Sequence, residues 1–538
     1  MTKLIRTRST SRMTAVALAA ATLMALGSAP AQAADREQAA ARALASVKAF
    51  PQRTFDGAGD SYEVLDVMFD ADGAEHVRLA RRFHGLRVIG GDLVVHSNRN
   101  GAFMSATHTL TREAKVGREA RVSAAEAIDT ASSRFTRHAA SGAPELVVYA
   151  RGEHARLAWN VRLNGELADG TPSRLNAIVD AQAGGLLDAW DDIQTAPAAA
   201  EAVEPVAKIG TGKTLFAGDV ALATDRRFAN FGKYSMLDKT RGGQSTKDLK
   251  HGTSGTGTTF KDADNTWGNN ATSDGATVGA DAHYGVTLTW DYFLLVHSRN
   301  GIANDGVGAY NRVHYGTNYA NAFWDDSCFC MTYGDGNAQL WPLTSIDVAG
   351  HEMSHGVTSR TAGLIYSGES GGLNEATSDI FGTMVEYYAN NAVDAPDYLI
   401  GEKLFKAGGS IRNMIQPSSD GASADCWYNG VGNIDVHYSS GVANHFFFLL
   451  AEGTTGGVPS KTCVVGNTKI ATGNGTLAGI GRAKAEKIWY RALTIYMVPN
   501  TNYSAARTAT INAANDIYGA GSAEAMAVGA AWTAVNRP

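Results

Sequence analysis

The residues of this chain best equipped for chemistry stand at His351-Glu352-Met353-Ser354-His355. Histidines four positions apart lie one turn apart on a single helix face, where both imidazoles can reach one ion. Glu375, within Gly372-Leu373-Asn374-Glu375-Ala376-Thr377-Ser378-Asp379, offers a third ligand from a second helix. Two imidazoles and a carboxylate suit zinc and keep a fourth coordination position for water, which then loses a proton readily near neutral pH. Glu352 reads as a base and not a ligand, because one step along the helix from His351 its carboxylate points toward that open position. Asp379, one turn beyond Glu375, is spaced to accept the remaining N–H of a ligating histidine and fix that ring. A His-Glu-x-x-His match also arises by chance as solvated helix charge. The second acidic segment, at a spacing that allows two packed helices, favours the metal centre.

Such a centre needs helices to hold it, and helical periodicity runs over Ile346 to Thr358, Asn374 to Ala389, His437 to Leu450, Ala483 to Thr494 and Tyr503 to Tyr518. From Lys208 to about residue 340 the text is rich in Gly, Asn and Thr, predicting loops and an irregular β-rich half. Residues 35–115 alternate short apolar runs with Asp/Gly turns, as in Tyr62 to Phe69 and Leu93 to His96, and predict a small antiparallel unit. Residues 116–195 predict a second unit, with a helix near Ala124 to Phe135, strands at Glu145 to Tyr149, Leu157 to Leu163 and Leu175 to Asp180, and a turn at Ala183-Gly184-Gly185. Residues 196–207, small and with two prolines, read as a linker open to proteolytic processing. A β-rich stretch followed by helices makes the fold class α+β.

With 538 residues, 44% apolar and 19% charged, the chain needs several folding units. A net charge of -6 and the lack of a Lys/Arg block argue against nucleic acid as a partner. Residues 1–34 combine Lys3, Arg6, Arg8 and Arg12 with the apolar stretch Met13 to Leu26 and the small residues Ala31-Gln32-Ala33-Ala34. This pattern predicts a secretory signal cut after Ala33 or Ala34, hence an extracellular mature protein that does not engage a membrane. Cys328, Cys330, Cys426 and Cys463 allow three pairings; Cys426 with Cys463 and Cys328 with Cys330 are favoured, a zinc role for Cys328 and Cys330 being the competing view.

From Lys208 onward the chain resembles the thermolysin family of secreted neutral zinc metalloendopeptidases. The resemblance is carried by Asn321-Ala322-Phe323-Trp324, Tyr333-Gly334-Asp335-Gly336, Asp347 to His355, Ala362-Gly363-Leu364-Ile365-Tyr366, Asn374 to Gly382 and Asp435-Val436-His437-Tyr438-Ser439-Ser440-Gly441, all in the family order. The preceding part, notably Phe83-His84-Gly85-Leu86-Arg87-Val88-Ile89-Gly90-Gly91-Asp92, resembles fungalysin/thermolysin-type propeptides. The resemblance implies a two-lobed catalytic unit, 208–355 β-rich and 356–538 helical, with the zinc helix on the floor of a cleft that takes substrate as an extended strand. It further implies His437 and Tyr366 as oxyanion donors, Asp435 as the partner orienting His437, Asn321 and Ala322 as groups pairing with substrate backbone, and Arg412 as the holder of a substrate carbonyl. Leu343, Val348, Ile400 and Ile411 would line the pocket for the residue after the scissile bond, which gives cleavage on the amino side of large apolar residues. A structural calcium ion would use Asp347, Glu386, Asp397 and the Leu399 carbonyl, with Asp394 and Glu402 unassigned; Asp262-Ala263-Asp264 reads as a plain turn. The propeptide would inhibit and assist folding, the substrates would be peptides and proteins, and the enzyme would act as a monomer. An exopeptidase or a binding protein on the same scaffold are the alternatives; the intact set His351, Glu352, His355, Glu375 and His437 speaks against the second.

Overall fold

Ala39, Ala43 and Val47, four positions apart, put one apolar stripe on the helix Ala29–Ala49, which closes over a sheet face made by Val67, Val77, Leu79, Leu93 and Val95. The sequence predicted only strands here, because alanine carries little hydrophobic signal while having the strongest helix preference. The computed structural model describes residues 29–167, 170–193, 206–226, 233–455, 457–466 and 468–537. The predicted signal therefore lies outside the described residues up to position 28, as does most of the predicted linker.

In the first module the strands Asp60–Phe69, Glu75–Phe83, Leu93–Ser97 and Phe103–His108 pair antiparallel. The short strand Leu86–Ile89 pairs in parallel with Glu145–Tyr149 of the second module, so both modules contribute to one ten-stranded sheet. The second module packs the helix Ala124–Arg134, started by a Ser123/Glu126 capping box, through Ala127 and Ala131 onto Val161, Leu163, Ala177 and Val179.

In the catalytic part a mixed sheet joins Gln244–Asp248, Tyr310–Tyr315, Cys330–Gly334 and Ala322–Asp325, the last lying on its edge. Behind it runs the helix Gly275–His297, which the Gly/Thr-rich text did not suggest. Its first two turns are buried on nearly every side, so it has no polar stripe and no readable period; Asp274 caps it through the Ala276 N–H. The zinc-motif helix spans Ile346–Ser359 and packs against Gly368–Ala389, which starts earlier than its apolar period suggested. The two approach closely at Gly350 and Gly382: a Cβ on Gly382 would lie 2.5 Å from the Asp347 carbonyl oxygen, and one on Gly350 3.0 Å from the Gly382 Cα. Side chains at either position would push the ligand-bearing helices apart.

The predicted helix over His437 to Leu450 is two helices, Val436–Ser439 and Gly441–Glu452, the second beginning where Gly441 presses on the Ala424 carbonyl. The helix Arg482–Arg491 continues as a π-helical turn, Ala492–Tyr496, and Tyr503–Tyr518 follows as expected. An unforeseen last helix, Ala523–Ala534, brings Trp532 to stack on Phe446 at 4.0 Å in the core of this lobe. Cys328 bonds Cys330 and Cys426 bonds Cys463; among the described residues no cysteine remains free to bind metal. No described helix is long and apolar enough to cross a membrane.

Candidate metal centre and cleft

The helix pair aims three donors at one point. His351 Nε2 and His355 Nε2 lie 3.0 Å apart, with Glu375 Oε2 3.6 Å from the first and Oε1 3.4 Å from the second. Glu375 Oε2 is buried without a hydrogen-bond partner, which is costly unless a cation completes it. Two convergent imidazole nitrogens and an orphaned carboxylate oxygen fit a zinc ion.

Each ring is held from behind. His351 Nδ1 meets Asp379 Oδ1 at 2.9 Å, and His355 Nδ1 meets Asn374 Oδ1 at 2.8 Å, Asn374 being anchored by its Nδ2 donating to the Leu364 carbonyl. Arg412 grips Asp379 with Nε and Nη2 at 2.7 and 2.6 Å, and Asn444 Nδ2 donates to the same carboxylate at 2.8 Å. The guanidinium expected to face a substrate carbonyl is thus engaged with Asp379, with Nη2 3.6 Å from Glu375. Burial raises the Asp379 carboxyl, but Arg412 and His351 outweigh it and hold it well below the usual range. Glu375 is likewise held down by His437, His355 and His351 against its burial. Burial pushes the Glu352 carboxyl up, with the two histidines pulling the other way.

Asp435 caps the short helix Val436–Ser439 by accepting from the His437 N–H, and its Oδ1 lies 2.7 Å from His437 Nδ1. That leaves His437 Nε2 facing the centre, 3.2 Å from the Tyr366 hydroxyl, which donates to Glu375 Oε1. A cleft of about 480 Å³ brings His351, Glu352, His355, Tyr366, Glu375, Arg412 and His437 together. Its walls include Asn321 and Ala322 on the sheet edge and the aliphatic set Leu343, Val348, Ile400 and Ile411. Leu167, Thr171, Pro172, Asp191 and Ile193 of the second module line the same cleft. Ile193 packs against Leu249, Tyr315, Tyr319 and Phe323, and Thr171 Oγ1 lies 2.7 Å from the Tyr319 hydroxyl. On the rim, Arg174 reaches Asp325 and Ser327, both at 2.7 Å, just before the Cys328–Cys330 bridge.

A second cluster sits at the other end of the helix pair. Oxygens of Glu386, Asp394 and Glu402 lie within 4.8 Å of one another. Glu386 Oε1, both Asp394 oxygens and Glu402 Oε2 are buried without hydrogen-bond partners, as a site for a hard cation would leave them. This differs from the set expected from the sequence. Asp347 accepts from Ser345 Oγ at 2.6 Å and from the Gly401 N–H at 2.5 Å, while Asp397 Oδ1 accepts from the Leu399 N–H at 2.6 Å. Asp347 thus ties Ser345 to Gly401, Asp397 holds the Leu399 N–H, and the carboxylates that converge most closely among the described residues are Glu386, Asp394 and Glu402. Asp262 accepts from the N–H groups of Asp264 and Asn265, the turn foreseen.

Asn374 lay within a segment that the sequence singled out, but Asn444 sits mid-helix with nothing around it to announce a polar role. Neither was assigned a function from the sequence.

Comparison with known proteins agrees with this arrangement. Residues 209–359 match the thermolysin metallopeptidase catalytic domain, 362–536 the thermolysin metallopeptidase alpha-helical domain, and 60–110 the fungalysin/thermolysin propeptide motif. The transglutaminase-activating metalloprotease of Streptomyces mobaraensis is 48% identical over 493 residues, which cover 89% of this chain and 61% of that protein. Bacillolysin of Bacillus cereus is 35% identical over 513 residues, covering 89% of this chain and 85% of bacillolysin. Thermolysin of Alicyclobacillus acidocaldarius is 35% identical over 508 residues, covering 90% and 88%. With these matches along nearly its whole length and the His-His-Glu centre in the matched part, the chain belongs to the thermolysin family of metallopeptidases.

Proposed function

We propose that this chain is a secreted zinc endopeptidase made as an inactive precursor. The convergence of His351, His355 and Glu375 beneath a cleft that also holds Glu352, Tyr366 and His437 carries this reading. His351, His355 and Glu375 would hold a zinc ion, which would supply Lewis acidity and make a water at the open position easier to deprotonate. Glu352 accepts the proton of the attacking water and returns it to the leaving amine. His437, kept in orientation by Asp435, and Tyr366 donate hydrogen bonds to the oxygen that gains charge as the carbonyl becomes tetrahedral. Asp379 and Asn374 hold the two ligand rings, and Arg412 and Asn444 hold Asp379.

The strand Ala322–Asp325 is the last of its sheet among the described residues, so in the processed protein an extended peptide can pair with its backbone near Asn321 and Ala322. Leu343, Val348, Ile400 and Ile411 then favour a large apolar residue after the scissile bond. In the precursor, the second module stands in this cleft and excludes substrate; processing falls between residues 196 and 207. A calcium ion at Glu386, Asp394 and Glu402 stabilises the catalytic part. Casein hydrolysis by processed protein, measured beside Glu352→Gln, tests the proposal. Activity removed by a zinc-selective chelator, restored by zinc and missing from the variant is the expected result; a folded, zinc-loaded protein that cleaves nothing would sink it.

A further inference from the structure

The first module holds the C-terminal lobe through residues that do not line the cleft, in a contact with two histidines at its centre. His76 and His96 face each other across paired strands, both about 95% buried, with their Nδ1 atoms 2.8 Å apart. At that distance only one proton fits between the rings. Their other nitrogens are also engaged: His76 Nε2 lies 3.1 Å from Asp70 Oδ2, and His96 Nε2 lies 2.8 Å from Thr107 Oγ1. Asp70 is in turn clasped by Arg491 of the catalytic part at 2.9 and 2.6 Å, and the His96 ring lies 5.1 Å from that of Tyr496. Beside them Arg78, buried, donates to the carbonyls of Thr494 and Met497 at the end of the π-helical turn.

We propose that this histidine pair makes the grip of the first module on the C-terminal lobe acid-sensitive: a second proton on the pair forces the rings apart and loosens the module. The inference rests on reading that module as a removable prosegment. The charges around the pair leave the second proton unsupported. On the module's side stand Asp70 and Arg78, with the Glu75 carboxylate turned away onto Arg42. From the catalytic part come Arg491 and Tyr496, both bonded to Asp516. Asp70 is therefore the carboxylate in contact with the pair, and it is shared with Arg491, while Asp516 is engaged by Arg491 and Tyr496. Burial, then His76, Arg78 and Arg491, hold the docked His96 down at about 3. A released module exposes a histidine titrating near ~6.5, and a pKa depressed in the docked state keeps the grip complete above that value. Below it the grip weakens about tenfold per pH unit, or roughly 30-fold by pH 5.

The test uses the full chain carrying Glu352→Gln, so that no self-cleavage intervenes, and measures amide hydrogen exchange corrected for the intrinsic rate. Protection of residues 75–97 and 482–518 should fall about 30-fold from pH 7.5 to pH 5. In the same chain with His96→Gln, whose amide can bond His76 and Thr107 but does not titrate, protection should stay within about threefold. A His76→Gln chain serves as the second variant if the first lacks native protection at pH 7.5. Protection unchanged with pH in the parent, or lost equally in parent and variant, overturns the proposal. Because no cleavage is read, a chain that loosens as expected yet never becomes a peptidase would refute the functional reading and leave the switch standing.

Discussion

The helix pair Ile346–Ser359 and Gly368–Ala389 carries buried carboxylates at both ends, and the two ends are built oppositely. Around Glu375 and Asp379, each carboxylate is matched by cations or donors: His351, His355, His437 and Arg412. About one turn from His351, Asp347 faces Glu386, Asp394 and Glu402; burial raises all four carboxyls, and repulsion from neighbouring carboxylates raises the last three further. Among the described residues a cation near them is Lys403, 3.6 Å from Asp394 and partly exposed. The first end is already balanced by protein charge, which preorganises ligands and catalytic groups. The second lacks that counter-charge, which the proposed calcium ion would supply.

That contrast is broken most severely at Glu352. Glu352→Gln keeps the shape and removes the base, so kcat should fall about 10³-fold or more while zinc content and thermal stability stay near those of the parent. Loss of zinc in that variant would show Glu352 to be part of the ligand set. His437→Gln comes next, with kcat reduced about 10²–10³-fold and KM changed little, since the hydrogen bond matters only as charge develops. Asp379→Asn removes the charge that Arg412 and His351 share, and zinc affinity should weaken about 10–100-fold, read by competition with a metal chelator. An unchanged affinity would mean that Arg412 and Asn444 orient the site without the carboxylate.

The balanced end was largely legible in the sequence. His351, Glu352, His355, Glu375 and Asp379 lie on two helices, where 3.6-residue periodicity fixes which side chains share a face. The Asp435–His437 contact is local as well, a helix cap two residues long. The acidic end was only half legible, because Asp394 and Glu402 reach Glu386 by the path of the loop between Asn390 and Gly401, and no periodicity encodes a loop. Asp347 and Asp397, the carboxylates expected from the sequence, stand beside this cluster and accept from the N–H groups of Gly401 and Leu399. Burial on nearly every side of its first turns hid the start of the helix Gly275–His297, whereas His76 and His96 meet only through strand register. The cleft had a further hidden component: Ile193 docks on Tyr319 and Phe323 through tertiary packing that neither module's own pattern encodes.

The smallest effect separates the two ends most sharply. Neutralising a carboxylate at the balanced end removes a partner from a cation, which leaves buried charge unmatched and should destabilise. Neutralising one at the acidic end removes repulsion, so Glu386→Gln in calcium-free buffer should leave thermal stability unchanged or raise it by up to about 1 kcal/mol. Calcium should act in the reverse sense. At about a hundred times its Kd it should stabilise the parent by roughly 2.7 kcal/mol, whereas the variant, short of one ligand oxygen, should gain less at the same concentration. Thermal melts of both proteins across a calcium titration read both effects. If Glu386→Gln is less stable than the parent without calcium, the cluster is held by hydrogen bonds of a protonated Glu386 and not strained by charge, and the contrast between the two ends fails.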